Sequence, residues 1–158
     1  MDVGTRIKYF HKQHQDFLRL LDEWESVIET AGSSDGEECV RGLARMRELH
    51  PELKEIEAHC LSEERNVDSP YRKYLQEGQL ETLESEHQDL ARLLTELFTE
   101  LRFATLYQTD RARQVGRATS ALARRHIQFG ETLLNEIEQK IGEEAEQEVL
   151  LRYTQSPE

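Results

Sequence analysis

The 158-residue sequence carries 32 acidic against 20 basic side chains, a formal net charge of −12. That length supplies one core rather than two substantial ones, and the acidic field repels phosphate backbones and anionic membrane surfaces, so neither nucleic acid nor a membrane is expected as a partner. Neither the opening MDVGTRIKYFHKQH nor any later stretch holds an apolar run long enough for a signal core or a membrane span, and Cys39 and Cys60 are too few for a disulfide framework. A soluble, cytoplasmic chain with reduced thiols is expected.

Long segments rich in Leu, Glu, Arg, Gln and Ala, interrupted by few prolines and glycines, predict an all-α chain. The first helix is expected over residues 3–30, where Ile7, Phe10, Phe17, Leu21, Trp24 and Ile28 recur at three- and four-residue steps. The run Ala31-Gly32-Ser33-Ser34-Asp35-Gly36 breaks it. A second helical region covers 37–65, with Pro51 predicting a kink, a break or a fresh start near Leu49-His50. Asn66 to Pro70 is expected to end or perturb that helix, residues 71–76 to add a turn or two, and Gly78 to stop it. A third helix is expected over 80–105. A joint at Tyr107 to Asp110 follows, with Asp110 as N-cap, and a fourth helix over 111–141 ended by Gly142. The acidic tail 143–158 is expected to form a short extra helix and then a loose end, its charge belonging to a solvated face.

The chain repeats itself. Gln13-His14-Gln15-Asp16-Phe17-Leu18-Arg19-Leu20-Leu21-Asp22-Glu23 aligns with residues 86–96, EHQDLARLLTE, with seven of eleven positions identical. In the same order His59-Cys60-Leu61-Ser62-Glu63-Glu64 aligns with His126-Ile127-Gln128-Phe129-Gly130-Glu131. Two similar helix pairs, 3–76 and 80–141, predict a single up-down-up-down four-helix bundle with equivalent positions converging on its centre.

His14 and His87 lie on apolar faces, and His59 with Glu63 projects from one face of a helix because residues four apart differ by about 40° in direction. A single histidine on such a face is ordinarily a hydrogen-bonded core residue. Four of them, one per helix, would bring four costly polar rings into a small core, whereas one shared metal centre satisfies all four. Imidazole with carboxylate suits iron, manganese or zinc, so His14, His59, Glu63, His87 and His126 are the candidate ligands. Glu64, about 100° further round than Glu63, is expected at the surface or behind the ligands. His11 is expected in the same role or in solvent, His50 at a helix end beside Pro51, and Cys60 as a small buried residue, while Tyr9, Tyr71, Tyr74 and Tyr107 are expected in core or surface packing, any of them otherwise supplying a phenol near the site.

With HQDFLRLLDE, HCLSEERNVDSPY, EHQDLARLLTEL and HIQFGETLL in this order, the chain resembles the hemerythrin-like HHE cation-binding family over residues 7–141. The resemblance implies two non-haem irons between the helices, held by terminal histidines and bridging carboxylates, in a protein that carries or senses oxygen, senses iron, or responds to nitric oxide or peroxide. Where the family places a second glutamate, four residues after the last histidine, Gly130 stands, and space is expected to open beside the site. Glu131 is the expected substitute as bridge, at a spacing that oxygen-carrying hemerythrins also use. Ala91, four residues after His87, lacks the further histidine of those carriers, so reversible oxygen transport is not the first expectation. The expected function is a di-iron centre that senses or reacts with oxygen, peroxide or nitric oxide, the small ligand being the partner. The competing expectation is a single-metal or metal-free bundle serving as a structural or protein-interaction module.

Overall fold

The computed structural model of the chain describes residues 2–66 and 69–155. Among them α1 (Val3–Ala31), α2 (Gly36–Arg65), α3 (Pro70–Tyr74), α4 (Glu77–Phe103) and α5 (Asp110–Gln155) follow in order. The only β feature among those residues is an isolated bridge between Thr105 and Gln108. The helices start where short polar side chains take up free backbone amides. The Asp2 side chain accepts from the Thr5 amide, Asp35 from Glu38 and Ser69 from Tyr71, and Gln76 with Gln79 forms a reciprocal capping box. The four long helices close a ring in which α1 and α4 each pack against both α2 and α5. This is the expected four-helix bundle. The short α3 lies across one end, against α5, α2 and α1.

Three boundaries differ from the sequence expectations. Pro51 neither breaks α2 nor starts a new helix, because Met46, Leu49, Leu53 and Ile56 bury one continuous face across it and the proline itself is exposed. One lost backbone bond on a solvent-facing turn is outweighed by that burial. Gly78 stands inside the first turn of α4 rather than ending a helix, since the capping box at Gln76 starts the helix ahead of it. Gly142 does not end α5, which continues as an exposed helix to Gln155. One glycine costs a helix about 1 kcal/mol, and the flanking Glu, Ala, Gln and Leu residues carry the helix past it. The expected perturbation at Asn66 to Pro70 falls partly on Val67 and Asp68, and the expected loose end partly on Ser156 to Glu158, which lie outside the described residues.

Two small residues set the spacing of the helices. A Cβ on Gly42 of α2 would come within 2.3 Å of the Ala31 backbone nitrogen, so α1 and α2 cross at backbone contact there. Gly116 of α5 seats the Trp24 ring, whose Nε1 donates to the Gly116 carbonyl at 3.0 Å.

The core is in two parts. One apolar cluster joins Leu21, Trp24 and Ile28 to Met46, Leu49, Leu94, Leu97 and Leu122. The other, at the α3 end, gathers Ile7, Phe10, Tyr71, Leu83, Leu133, Leu134 and Ile137. His50 apart, buried ionisable residues of each long helix fall between them: His14 on α1, Glu63 and Glu64 on α2, His87 on α4 and His126 on α5.

Candidate metal centre

His14 on α1 and His59 and Glu63 on α2 come together with one ligand atom each, all within 4.8 Å of one another. His14 Nε2 is 3.3 Å from either oxygen of Glu63, and His59 Nε2 faces Glu63 Oε1 directly. The one-turn separation of His59 and Glu63 on a continuous helix produces this convergence. The rings of Phe10 and Phe17 wall His59 at 5.7 and 5.1 Å between centroids.

His126 on α5 turns Nε2 to Glu64 Oε1 at 2.9 Å. Its Nδ1 lies 3.5 Å from Glu86 Oε1, and the other Glu86 oxygen accepts from Arg125 Nε at 2.9 Å. His87 on α4 turns Nε2 toward Glu57, 3.9 Å away. Glu64 is 2 % exposed, not a surface residue. Its place was legible in one respect, since Ile56, Cys60 and Glu64 follow one another at four-residue steps along a buried row.

Glu131 stands on the far side of His14. His14 Nδ1 donates to Glu131 Oε1 at 2.5 Å, the other Glu131 oxygen meets His11 Nδ1, and His11 Nε2 reaches Glu138 at 2.9 Å. His11 therefore lies behind the ligands, as one of its two expectations had it. His50 is not at a helix end. It is buried in mid-helix, its Nε2 donating to the Leu94 carbonyl at 2.9 Å.

Gly130 does not open space. The Tyr71 hydroxyl fills it, donating to the Gly130 carbonyl at 3.1 Å, and a Cβ at residue 130 would lie 2.9 Å from that hydroxyl oxygen and 3.6 Å from His14 Cε1. Tyr71 was expected in packing, with a phenol near the site as the other possibility. It does stack on Phe10, centroids 6.1 Å apart, but it also stands where the repeat would put the partner of Glu63. The short helix that carries it has no counterpart in the second half of the chain, so the repeat could not reveal it.

Charges inside the site are strongly biased. Burial alone would push the His14 imidazole down, yet its hydrogen bonds to Glu131 and Glu63 raise it to about 9. Burial likewise opposes ionisation of Glu63 and Glu131, but His14 with His59 holds Glu63 below its usual range, and His14 with His11 does the same for Glu131. Burial pushes His87 down, and pushes the Tyr71 phenol and the Cys60 thiol well up, with neighbouring carboxylates adding to both of the latter shifts. In the metal-free protein a proton on His14 balances the carboxylates on either side of it, the position a cation takes over.

The residues fit a cation on a further count. His59 Nε2 and Glu63 Oε1 face each other, and Glu86 Oε1 and His126 Nδ1 lie 3.5 Å apart, neither pair making a hydrogen bond, and His87 Nδ1 is a buried atom with no hydrogen-bond partner. Leaving a buried polar atom unpaired costs about 1–3 kcal/mol. A cation held between His59 and Glu63 would give both of those atoms a partner.

The hemerythrin HHE cation-binding domain model matches residues 5–137. The chain belongs to this family. No curated protein and no solved structure matches it. The hemerythrin match covers all four long helices and every histidine named above, and stops short of the exposed end of α5. A cation-binding function and an all-α bundle follow from membership. No helix among the described residues is long and apolar enough to cross a membrane.

Proposed function

We propose that this hemerythrin-family protein binds non-haem iron, two ions per chain, through His14, His59, Glu63, His87 and His126, and that it senses or reacts with oxygen, peroxide or nitric oxide in the cytoplasm. The observation that supports the reading is the set of buried nitrogen and oxygen atoms on His59, Glu63 and His87 that make no hydrogen bond, contributed by α2 and α4. Iron bound there supplies a redox-active Lewis acid for a small ligand. The protein's own part is to hold neutral imidazoles and ionised carboxylates in place and to keep bulk water out. His59 is fixed between Phe10 and Phe17. Glu131 orients His14 through Nδ1, and Glu86 faces Nδ1 of His126. Binding of a cation displaces the His14 proton, so uptake releases protons and strengthens as pH rises.

A second reading has its own support. Only His14, His59 and Glu63 converge on one point among the described residues, which favours a single cation, zinc or manganese included, in a bundle that serves a structural or interaction role. Elemental analysis with an optical spectrum of aerobically purified protein separates the two: two irons with a visible charge-transfer band support the first, one colourless ion the second. His59→Ala is expected to abolish iron loading, and wild-type iron content in that variant would refute the ligand set.

A further inference from the structure

With Gly130 at the place of the second family carboxylate, the centre needs another acidic group or goes without one. Besides Glu57, 3.9 Å from His87, and Glu86, 3.5 Å from His126, two are near, Glu131 on α5 and Glu64 on α2, and they meet different histidines. Glu131 meets Nδ1 of His14, the nitrogen turned away from Glu63. Glu64 meets Nε2 of His126, with Glu86 on the Nδ1 side.

The two halves of the site therefore match in a way the repeat does not show. In each, a histidine presents Nε2 to a buried glutamate of α2 and Nδ1 to a carboxylate standing behind it. His14 lies between Glu63 and Glu131, and His126 between Glu64 and Glu86. Metal-bound histidines ordinarily give their other ring nitrogen to such a carboxylate, which fixes the ring without touching the ion. His87 lies within reach of the second half, since Glu64 and His126 are among the charges that act on it, with Glu57 and Arg65. Glu64 is 2 % and His126 4 % exposed, and Nδ1 of His87 makes no hydrogen bond.

We propose that both inner carboxylates of the centre come from α2, Glu63 for the His14 and His59 half and Glu64 for the His87 and His126 half, and that Glu131 is a positioning residue for His14 rather than a bridge. Adjacent residues on one helix point about 100° apart, so Glu63 and Glu64 aim at two neighbouring positions. The chain thereby keeps two carboxylates despite Gly130. This inference rests on the iron reading above.

Anaerobic titration of the metal-free full chain with ferrous iron, followed by Mössbauer spectroscopy, tests it. Wild type is expected to take two equivalents, Glu64→Gln one, and Glu131→Gln two, the last with about tenfold weaker binding of one equivalent and altered Mössbauer parameters for that iron alone. Glutamine keeps the shape of Glu64 and can still hydrogen-bond His126. Should that variant fail to fold by circular dichroism, Glu64→Asp is expected to weaken the second equivalent at least tenfold and leave the first unchanged. Two tight equivalents in a folded Glu64 variant, or one equivalent in Glu131→Gln, overturns the proposal. One equivalent in wild type also overturns it while leaving metal binding intact, whereas none in wild type refutes the iron reading itself.

Discussion

Gly130 and Tyr71 are coupled sterically, and the coupling fixes the sign of a mutational effect. Gly130→Ala improves helix propensity by about 1 kcal/mol, but its Cβ would stand 2.9 Å from the Tyr71 hydroxyl oxygen. That hydroxyl terminates a rigid ring that is 1 % exposed and stacked on Phe10, so it has little room to withdraw, and overpacking of this kind costs about 1–3 kcal/mol. The net expectation is a loss of about 1 kcal/mol in the wild-type background. Tyr71→Phe alone forfeits the hydrogen bond to the Gly130 carbonyl, also about 1 kcal/mol. In the Tyr71→Phe background the next neighbours of the new Cβ are at 3.6 and 3.9 Å, ordinary contact distances. There Gly130→Ala is expected to stabilise by about 1 kcal/mol, which gives a coupling of about 2 kcal/mol across the double-mutant cycle. Urea unfolding of the four metal-free proteins measures it, and melting temperatures should separate by about 2–4 °C per kcal/mol in a chain of this size. Equal effects of Gly130→Ala in both backgrounds would refute the account of how the site is filled.

Stability of the metal-free protein is expected to fall on both sides of mildly acidic pH. His14 is raised from 6.5 to about 9, so its contribution is complete below pH 6.5 and lost as pH climbs to 9, up to about 3 kcal/mol. Glu63 and Glu131 are lowered from 4.5, so theirs is present above that value and lost on acidification. Urea titrations from pH 4 to 9 trace the profile, and a stability that stays flat between 6.5 and 9 would contradict the His14 pairing. At the other end of the molecule, Gly42→Ala drives a methyl into the Ala31 backbone rather than into a side chain that can turn aside. It is expected to cost about 2 kcal/mol net of its helix-propensity gain, a drop of roughly 4–8 °C in Tm by calorimetry, and an unchanged Tm would mean that α1 and α2 can separate there at no cost.

The histidines were legible because a helix repeats its faces, and a duplicated helix pair repeats them twice. Neither argument depends on tertiary detail. The surface alternative for Glu64 failed because a single inward direction was assigned to α2, whereas a helix in a four-membered ring faces two neighbours. Here Glu63 looks toward α1 and Glu64 toward α5. Pro51 and Gly142 misled for the reverse reason: each is a local helix-weakening signal of a few kcal/mol or less, outweighed by burial in α2 and by the helix-forming residues that follow in α5. Tyr71 was out of reach, since its position depends on how a five-residue helix lies across the end of the bundle.

The division of the core into two apolar clusters, with charged groups between them, bears on how the protein holds together. Apolar contact normally makes a small domain open as one unit, because every part of its interior leans on the rest. In this chain the cluster around Trp24 and the cluster around Tyr71 are joined across a layer whose groups attract or repel according to what is bound among them. An ion held there acts as a rivet between the two halves of the interior. On the metal-binding reading proposed above, an occupied centre is expected to make the bundle unfold as one cooperative body, and an empty one to loosen the link between its two halves.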